Sequence, residues 1–215
     1  EGQWGYLHAY ASGGELNKAL DGLGSKFETL NLGVKPYPSC RYSHAAIDGI
    51  IDLKKELDFS IDDLDDIDIG LSETALNIIG YPLEDKQNPK SIVDGQFSMP
   101  FCAAVAAKSG GLKWDDYKDH LNNNETLALC NKIKVTPDKD AENCCPEYMS
   151  AKVKMVVKGK SYEKFVKIPK GEPENFMKDD EFISKFKGLT EPYLSNERVN
   201  QLTDLMLKID QANNV

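Results

Sequence analysis

Ten consecutive residues, Lys35-Pro36-Tyr37-Pro38-Ser39-Cys40-Arg41-Tyr42-Ser43-His44, bring an amine, a thiol, a guanidinium and an imidazole together in a chain whose one other arginine is Arg198. Such a set of groups calls for an anion. Directly after it, Ala46, Ile47, Ile50, Ile51 and Leu57 recur at helical spacing, which predicts an amphipathic helix with Ser43 as its N-cap. A helix start leaves backbone N–H groups unpaired at the positive end of its dipole, so the junction from Cys40 to Ser43 reads as a carboxylate site with Lys35, Arg41 and His44 around it. Arginine offers a carboxylate two parallel hydrogen bonds, and a lysine in a partly dry pocket beside another cation can give up a proton near neutral pH. The helix dipole disfavours an imidazolium at His44, and Asp48, one turn later, is expected to orient the ring. Together these roles suit a polycarboxylate substrate.

Each residue also has an ordinary structural reading. Lys35 can be a surface residue at a strand end, Arg41 a helix-terminus ion pair, and His44 a satisfied core histidine. Cys40 and His44 stand four apart, yet no second Cys/His cluster completes a zinc site. Cys144-Cys145 reads as a loop feature, and the cysteine spacing is poor for an iron–sulfur hydro-lyase.

The chain has 215 residues, 26 basic against 35 acidic, a formal net charge of −9 and a sequence pI of about 4.9. That balance argues against a general nucleic-acid or acidic-membrane binder, so attraction for an anion must be local. No apolar run approaches the roughly 20 residues of a membrane span, and no signal-peptide pattern opens the chain. An odd set of five cysteines, two of them adjacent, argues against a secreted disulfide framework and for a reducing cytoplasm. The opening Glu1-Gly2-Gln3-Trp4-Gly5-Tyr6-Leu7 has no initiator Met and reads as the interior of a longer protein.

Along the chain, the pattern predicts a short helical stretch around Glu15 to Leu23, a strand from Phe27 to Val34 ending at Lys35, and the helix after Ser43. A turn capped by Ser60 leads to a strand over Ile67–Leu71. Pro82 to Pro89 reads as a polar loop, Phe97 to Ala107 as a buried helix of small residues ending at Gly110-Gly111, and Trp114–Leu121 and Glu125–Ile133 as further helices. Pro137 to Pro146 is expected to be a polar connection. Ala151–Val157 and Tyr162–Ile168 alternate polar and apolar around Lys158-Gly159-Lys160, a hairpin. The last forty residues return to helix, the strongest running from Ser195 through Leu202, Leu205, Met206 and Ile209. The fold class is α+β.

The stretch KPYPSCRYSHAAIDGIIDL closely resembles the signature of the MmgE/PrpD family, which includes 2-methylcitrate dehydratase, cis-aconitate decarboxylase and iminodisuccinate epimerase. GYPLEDKQNPKSIVDGQFSMPFCAAVAAKSGG, the hairpin from Val153 to Ile168, and PKGEPENFMKDDEFISKFKGL resemble later parts of the family in the same order. The resemblance implies the C-terminal portion of a two-domain protein. Residues 1–30 would be a connecting segment from an all-helical domain, 31–172 a small α+β lid, and 173–215 C-terminal helices packing back on the absent domain. It implies cofactor-independent chemistry with no metal, on a small polycarboxylate bound between domains of a homodimer, with no nucleic acid and no membrane as partner. Residue by residue, Lys35 and His44 take the places of active-site positions. Cys40 stands where the decarboxylases have histidine, and Phe101 stands near an active-site tyrosine. Lys35, Cys40, Arg41, His44 and Phe101 are thus the expected substrate-binding residues, with Lys35 and His44 catalytic. The implied activity is a hydro-lyase of propionate catabolism that dehydrates a tricarboxylic hydroxy acid such as 2-methylcitrate. A decarboxylase, an epimerase, or a non-catalytic lid fragment that needs its helical half are the alternatives.

Overall fold

The apolar face read from the sequence after Ser43 builds the helix on which the site rests. In the computed structural model, which describes residues 5–10, 15, 18 and 20–211, α1 spans His44–Leu57 and buries Ala45, Ala46, Ile47, Ile50 and Leu53. Lys54 and Lys55 occupy its last turn, where cations favour the dipole, and Asp58 closes it in the left-handed conformation with its N–H on Lys54 O. Gly49 is required by packing, because a Cβ there would stand 2.9 Å from Val153 Cγ2 on the sheet.

That sheet has four strands in the order β2-β1-β3-β4: β1 is Leu64–Leu71, β2 Ile133–Pro137, β3 Ala151–Val157 and β4 Lys160–Val166. β1 runs parallel to β2, with Ile67 opposite Ile133, and antiparallel to β3, with Ile67 opposite Met155. β3 and β4 form the expected hairpin, registered Val157 to Lys160 and Ala151 to Val166. Alternation sorts β3 cleanly: Ala151, Val153, Met155 and Val157 point into the core, while Lys152 and Lys154 face outward. The fold is α+β.

Between β1 and β2 runs α2, Met99–Ser109, whose residues from Met99 to Ala107 are all buried. Its small side chains allow close packing, and Lys54 of α1 donates to Ala107 O at its C-terminal end. Ser98 caps the other end. Its Oγ accepts from Phe101 N–H at 3.0 Å and donates to Lys86 O, and the residue is wholly buried. Ser98→Ala should therefore cost about 1–2 kcal/mol by urea denaturation, the loss of a cap together with an unpaired carbonyl. Two C-terminal helices complete the fold, α3 over Asp179–Thr190 and α4 over Asn196–Met206, the latter capped by Ser195.

The chain divides into a unit ending at Leu32 and a unit beginning at Gly33. Within the first, a helix spans Tyr6–Tyr10 and a 3-10 turn spans Glu28–Asn31. No strand forms over Phe27 to Val34. Phe27, Leu30 and Leu32 are exposed, so their alternation has no buried face to reward it. Of the helix expected around Glu15 to Leu23, residues 16, 17 and 19 lie outside the described residues, and residues 20–25 form turns.

Other differences are local. Ile133 starts β2 instead of ending a helix, which occupies Asn124–Cys130. Helix also enters both expected loops, over Leu83–Gln87 and Lys139–Cys144, the second capped by Asp138. Ser43 does not cap α1 with its side chain: it closes a 3-10 turn over Arg41–Ser43, and its Oγ donates back to Cys40 O at 2.8 Å.

Candidate active site

The signature run folds as a loop pinned on every side. Val34 N–H donates to Gly171 O at 2.7 Å, and Cys40 N–H donates to Gln96 O at 2.9 Å. Pro38 O accepts from Tyr117 Oη (2.9 Å) and Gln96 Nε2 (3.0 Å). Tyr37 Oη donates to Asp48 Oδ1 at 2.7 Å, and the other oxygen of Asp48 accepts from Lys170 N–H at 2.7 Å. Asp48 thus joins the signature loop to residues 168–172 and does not orient His44. Burial raises the Asp48 carboxyl above its usual range, opposed by those two donors. The Tyr37 phenol is pushed up by burial and by the facing Asp48 carboxylate.

His44 is wholly buried, and Arg41 fixes its tautomer. Arg41 Nη1 lies 2.8 Å from His44 Nδ1, and a guanidinium can only donate, so Nδ1 accepts and Nε2 carries the proton. That proton faces Ser39 O, which lies 3.4 Å from Nε2. Burial, then the Arg41 charge, drives the imidazole down to about 3, with the Ser39 carbonyl opposing. His44 is a neutral, oriented ring at physiological pH.

Arg41 is equally committed. Nε and Nη2 both donate to Glu172 Oε1, and Nη1 donates to Lys170 O at 3.0 Å as well as to His44. Four of its five N–H groups are therefore used within the protein. The expected open anion site at the start of α1 does not form, because Ser43 and His44 are fully buried and their N–H groups bond to Cys40 O and Arg41 O.

Lys35 is differently placed. Its Nζ donates to Ser39 O at 3.1 Å, and its side chain lines a cavity of about 540 Å³ bounded by the signature loop, residues 110–114 and α3. Lys55, Lys113, Lys170 and Lys185 line the same space with Asp180 and Glu181, so five lysines face two acids. Glu181 pairs with Lys170 at 3.1 Å. In a chain of net charge −9, this local excess of positive charge attracts a small anion. Lys185 reaches from α3 to donate to Lys35 O at 2.6 Å, and burial lowers its ammonium pKa. Trp114, Leu112, Met177 and Leu189 supply apolar wall.

The other expected site residues stand away from that space. Cys40 is half-buried against the core, and Arg41 and His44 lie behind Lys35. Phe101 is fully buried on α2, stacked on Tyr117 at 5.8 Å between ring centroids; through Tyr117 it supports Pro38. No motif in the sequence marks Lys113, Lys170, Glu172 or Lys185. The last three fall within the late segment PKGEPENFMKDDEFISKFKGL, whose resemblance was the signal available for them. Among the described residues, no group of three His, Cys, Asp or Glu could hold a metal ion, and no helix is long and apolar enough to cross a membrane.

Fold and site define an α+β module that presents a lysine-lined cavity beside a rigid, histidine-backed loop. The model of the MmgE/PrpD C-terminal domain matches residues 37–211, and the chain belongs to that family. Curated relatives include a cis-aconitate decarboxylase-like protein, oryM, of Aspergillus oryzae, 23% identical over 90% of this chain and 41% of its own length. A cis-aconitate decarboxylase of Aspergillus terreus is 23% identical over 92% of this chain and 42% of its own length. The chain spans about two fifths of the length of these relatives.

Proposed function

We propose that the full-length protein is a cofactor-independent hydro-lyase that dehydrates a tricarboxylic hydroxy acid such as 2-methylcitrate. Lys35 is its principal contact from this chain, and residues 31–172 act as the lid over the substrate. The observation that carries this reading is the placement of Lys35, which opens the run that resembles the family signature, in a cavity with four further lysines. Dehydration removes a proton from a carbon beside a carboxylate while the neighbouring carbon loses its hydroxyl, so a double bond forms and water leaves. Negative charge grows on the carboxylate as the proton departs, and an ammonium held against it stabilises that charge more in the transition state than in the ground state. The remaining acid/base groups belong to the part of the protein outside this chain. The exposed Leu205, Met206, Leu207 and Ile209 favour residues 173–215 packing on a helical domain, and activity residing in the assembled protein.

Decarboxylation is the second reading, favoured by the likeness to a cis-aconitate decarboxylase of Aspergillus terreus. Full-length protein incubated separately with 2-methylcitrate, citrate, cis-aconitate and iminodisuccinate, with products identified, separates the two. Carbon dioxide released from cis-aconitate selects the decarboxylase. Lys35→Ala should reduce kcat/KM about 10²–10⁴-fold on whichever substrate turns over, with little change in Tm. Unchanged turnover would sink the assignment of Lys35.

A further inference from the structure

Between Glu172 and Lys35 runs an unbroken chain of hydrogen bonds, and only its last member reaches the cavity. The Glu172 carboxylate accepts from Arg41 Nε and Nη2. Arg41 Nη1 donates to His44 Nδ1, His44 Nε2–H faces Ser39 O, and Lys35 Nζ donates to that same carbonyl. Of these residues, Lys35 alone lines the cavity. We infer that Arg41, His44 and Glu172 are positioning residues that act through the Ser39 carbonyl to hold the Lys35 ammonium, and that none of the three contacts substrate. The inference extends the reading of Lys35 given above and rests on it for its link to turnover.

Three features support it. His44 has no exposed surface, and its two ring nitrogens are both occupied by protein groups, so it presents no free nitrogen to a bound molecule. Arg41 has most of its donors satisfied inside the fold, and its charge is balanced by Glu172 at a site where the two side chains are only 15% and 26% exposed. Such a half-buried pair is costly to break from one side, because the surviving charge is left uncompensated. Glu172 also follows Gly171, whose carbonyl holds Val34 beside Lys35, so the array and the loop backbone are fixed by the same short segment. The arrangement locks an ammonium that would otherwise sample many rotamers, which is the entropy that a preorganised site must remove before substrate arrives.

Competitive acetylation of lysine amines in the full-length protein, quantified residue by residue by mass spectrometry, reads the state of Lys35 without any substrate. In Glu172→Gln, loss of the carboxylate unbalances Arg41 and loosens the array, and Lys35 should acetylate at least about threefold faster at pH 8, while Lys113 in the same cavity keeps its wild-type rate. Arg41→Lys removes the two-pronged contact but keeps the charge, and His44→Ala removes both ring contacts, to Arg41 and to Ser39 O; both should release Lys35 in the same way, and either answers the question if Glu172→Gln does not fold. With a substrate that turns over, Glu172→Gln should lower kcat about tenfold or more with KM within about twofold, and Glu172→Asp should recover part of the loss. Wild-type labelling of Lys35 in all folded variants overturns the inference, whatever the activity of the protein proves to be. A normal array with no turnover on any polycarboxylate would instead count against the proposed function alone.

Discussion

Replacing Gly171 with alanine is expected to destabilise the protein by about 3–5 kcal/mol and to unseat the signature loop. Gly171 has φ +90°, a backbone conformation that an L side chain enters only with strain of about 1–2 kcal/mol. A Cβ built there would stand 1.9 Å from Val34 O and 3.0 Å from Pro36 Cδ. No rotamer relieves a clash made by Cβ, so the two segments must separate and break the Val34 N–H to Gly171 O bond. Lys35 is the next residue, and Lys170 and Glu172 flank the glycine, so the same movement disturbs the cavity wall and the Glu172–Arg41 pair. Gly110→Ala is the matched control. Gly110 also has positive φ, +71°, but nothing lies within 4 Å of its added Cβ, and its cost should stay near 1 kcal/mol. Urea denaturation of both variants decides the point: equal costs would mean that strain alone acts at Gly171 and that the close approach to Val34 carries no energy.

Periodic elements were legible because their reward is local. α1 shows one apolar face over four turns, and the hairpin of β3 and β4 alternates on both sides of a two-residue turn. β2 was hidden. Its Ile133 and Val135 make only two inward positions, adjacent to a helix, and its partner β1 lies some sixty residues away, so nothing nearby announces a parallel pairing. Phe27 to Val34 fails in the opposite sense, since alternation without a partner sheet makes no strand.

The site divides along the same line. Residues of one short run can be found together, and Lys35, Arg41 and His44 do share one hydrogen-bond array. Their roles depend on partners far along the chain. Arg41 meets Glu172, Lys35 meets Lys185, and Asp48 is claimed by Tyr37 and Lys170 instead of by the histidine one helical turn before it. A spacing of four on a helix brings two side chains to one face without specifying which other element will compete for them. Arginine beside a helix start suggests a hand for a carboxylate ligand; the carboxylate it holds is the protein's own, Glu172.

His44 should give the protein a distinctive pH dependence of stability. Its imidazole titrates near 6.5 in the unfolded chain and at about 3 in the fold, where burial and the Arg41, Lys35 and Lys185 charges oppose protonation and Ser39 O favours it. Between those values the unfolded state binds the proton and the native state does not, so stability falls as pH falls through 6.5 and the loss grows until about pH 3. From pH 7.5 to pH 5 the expected loss is about 2 kcal/mol, approaching a slope of ~1.4 kcal/mol per pH unit at the acid end. Asp48 opposes this trend, because a raised carboxyl pKa makes the native state take up its proton first on acidification. Asp48 and His120, whose own pKa is lowered chiefly by burial, remain in the variant, so their direct contributions largely cancel in a comparison. His44→Gln is the variant to compare. It removes the titrating ring while leaving an amide able to accept from Arg41, and its stability should lose about 2 kcal/mol less than wild type over the same interval, whatever its absolute stability at pH 7.5. Urea denaturation at half-unit pH steps reads the difference directly. Parallel curves for the two proteins would mean that His44 takes up its proton in the native state as readily as in the unfolded chain, and that the Arg41 contact does not hold the ring neutral.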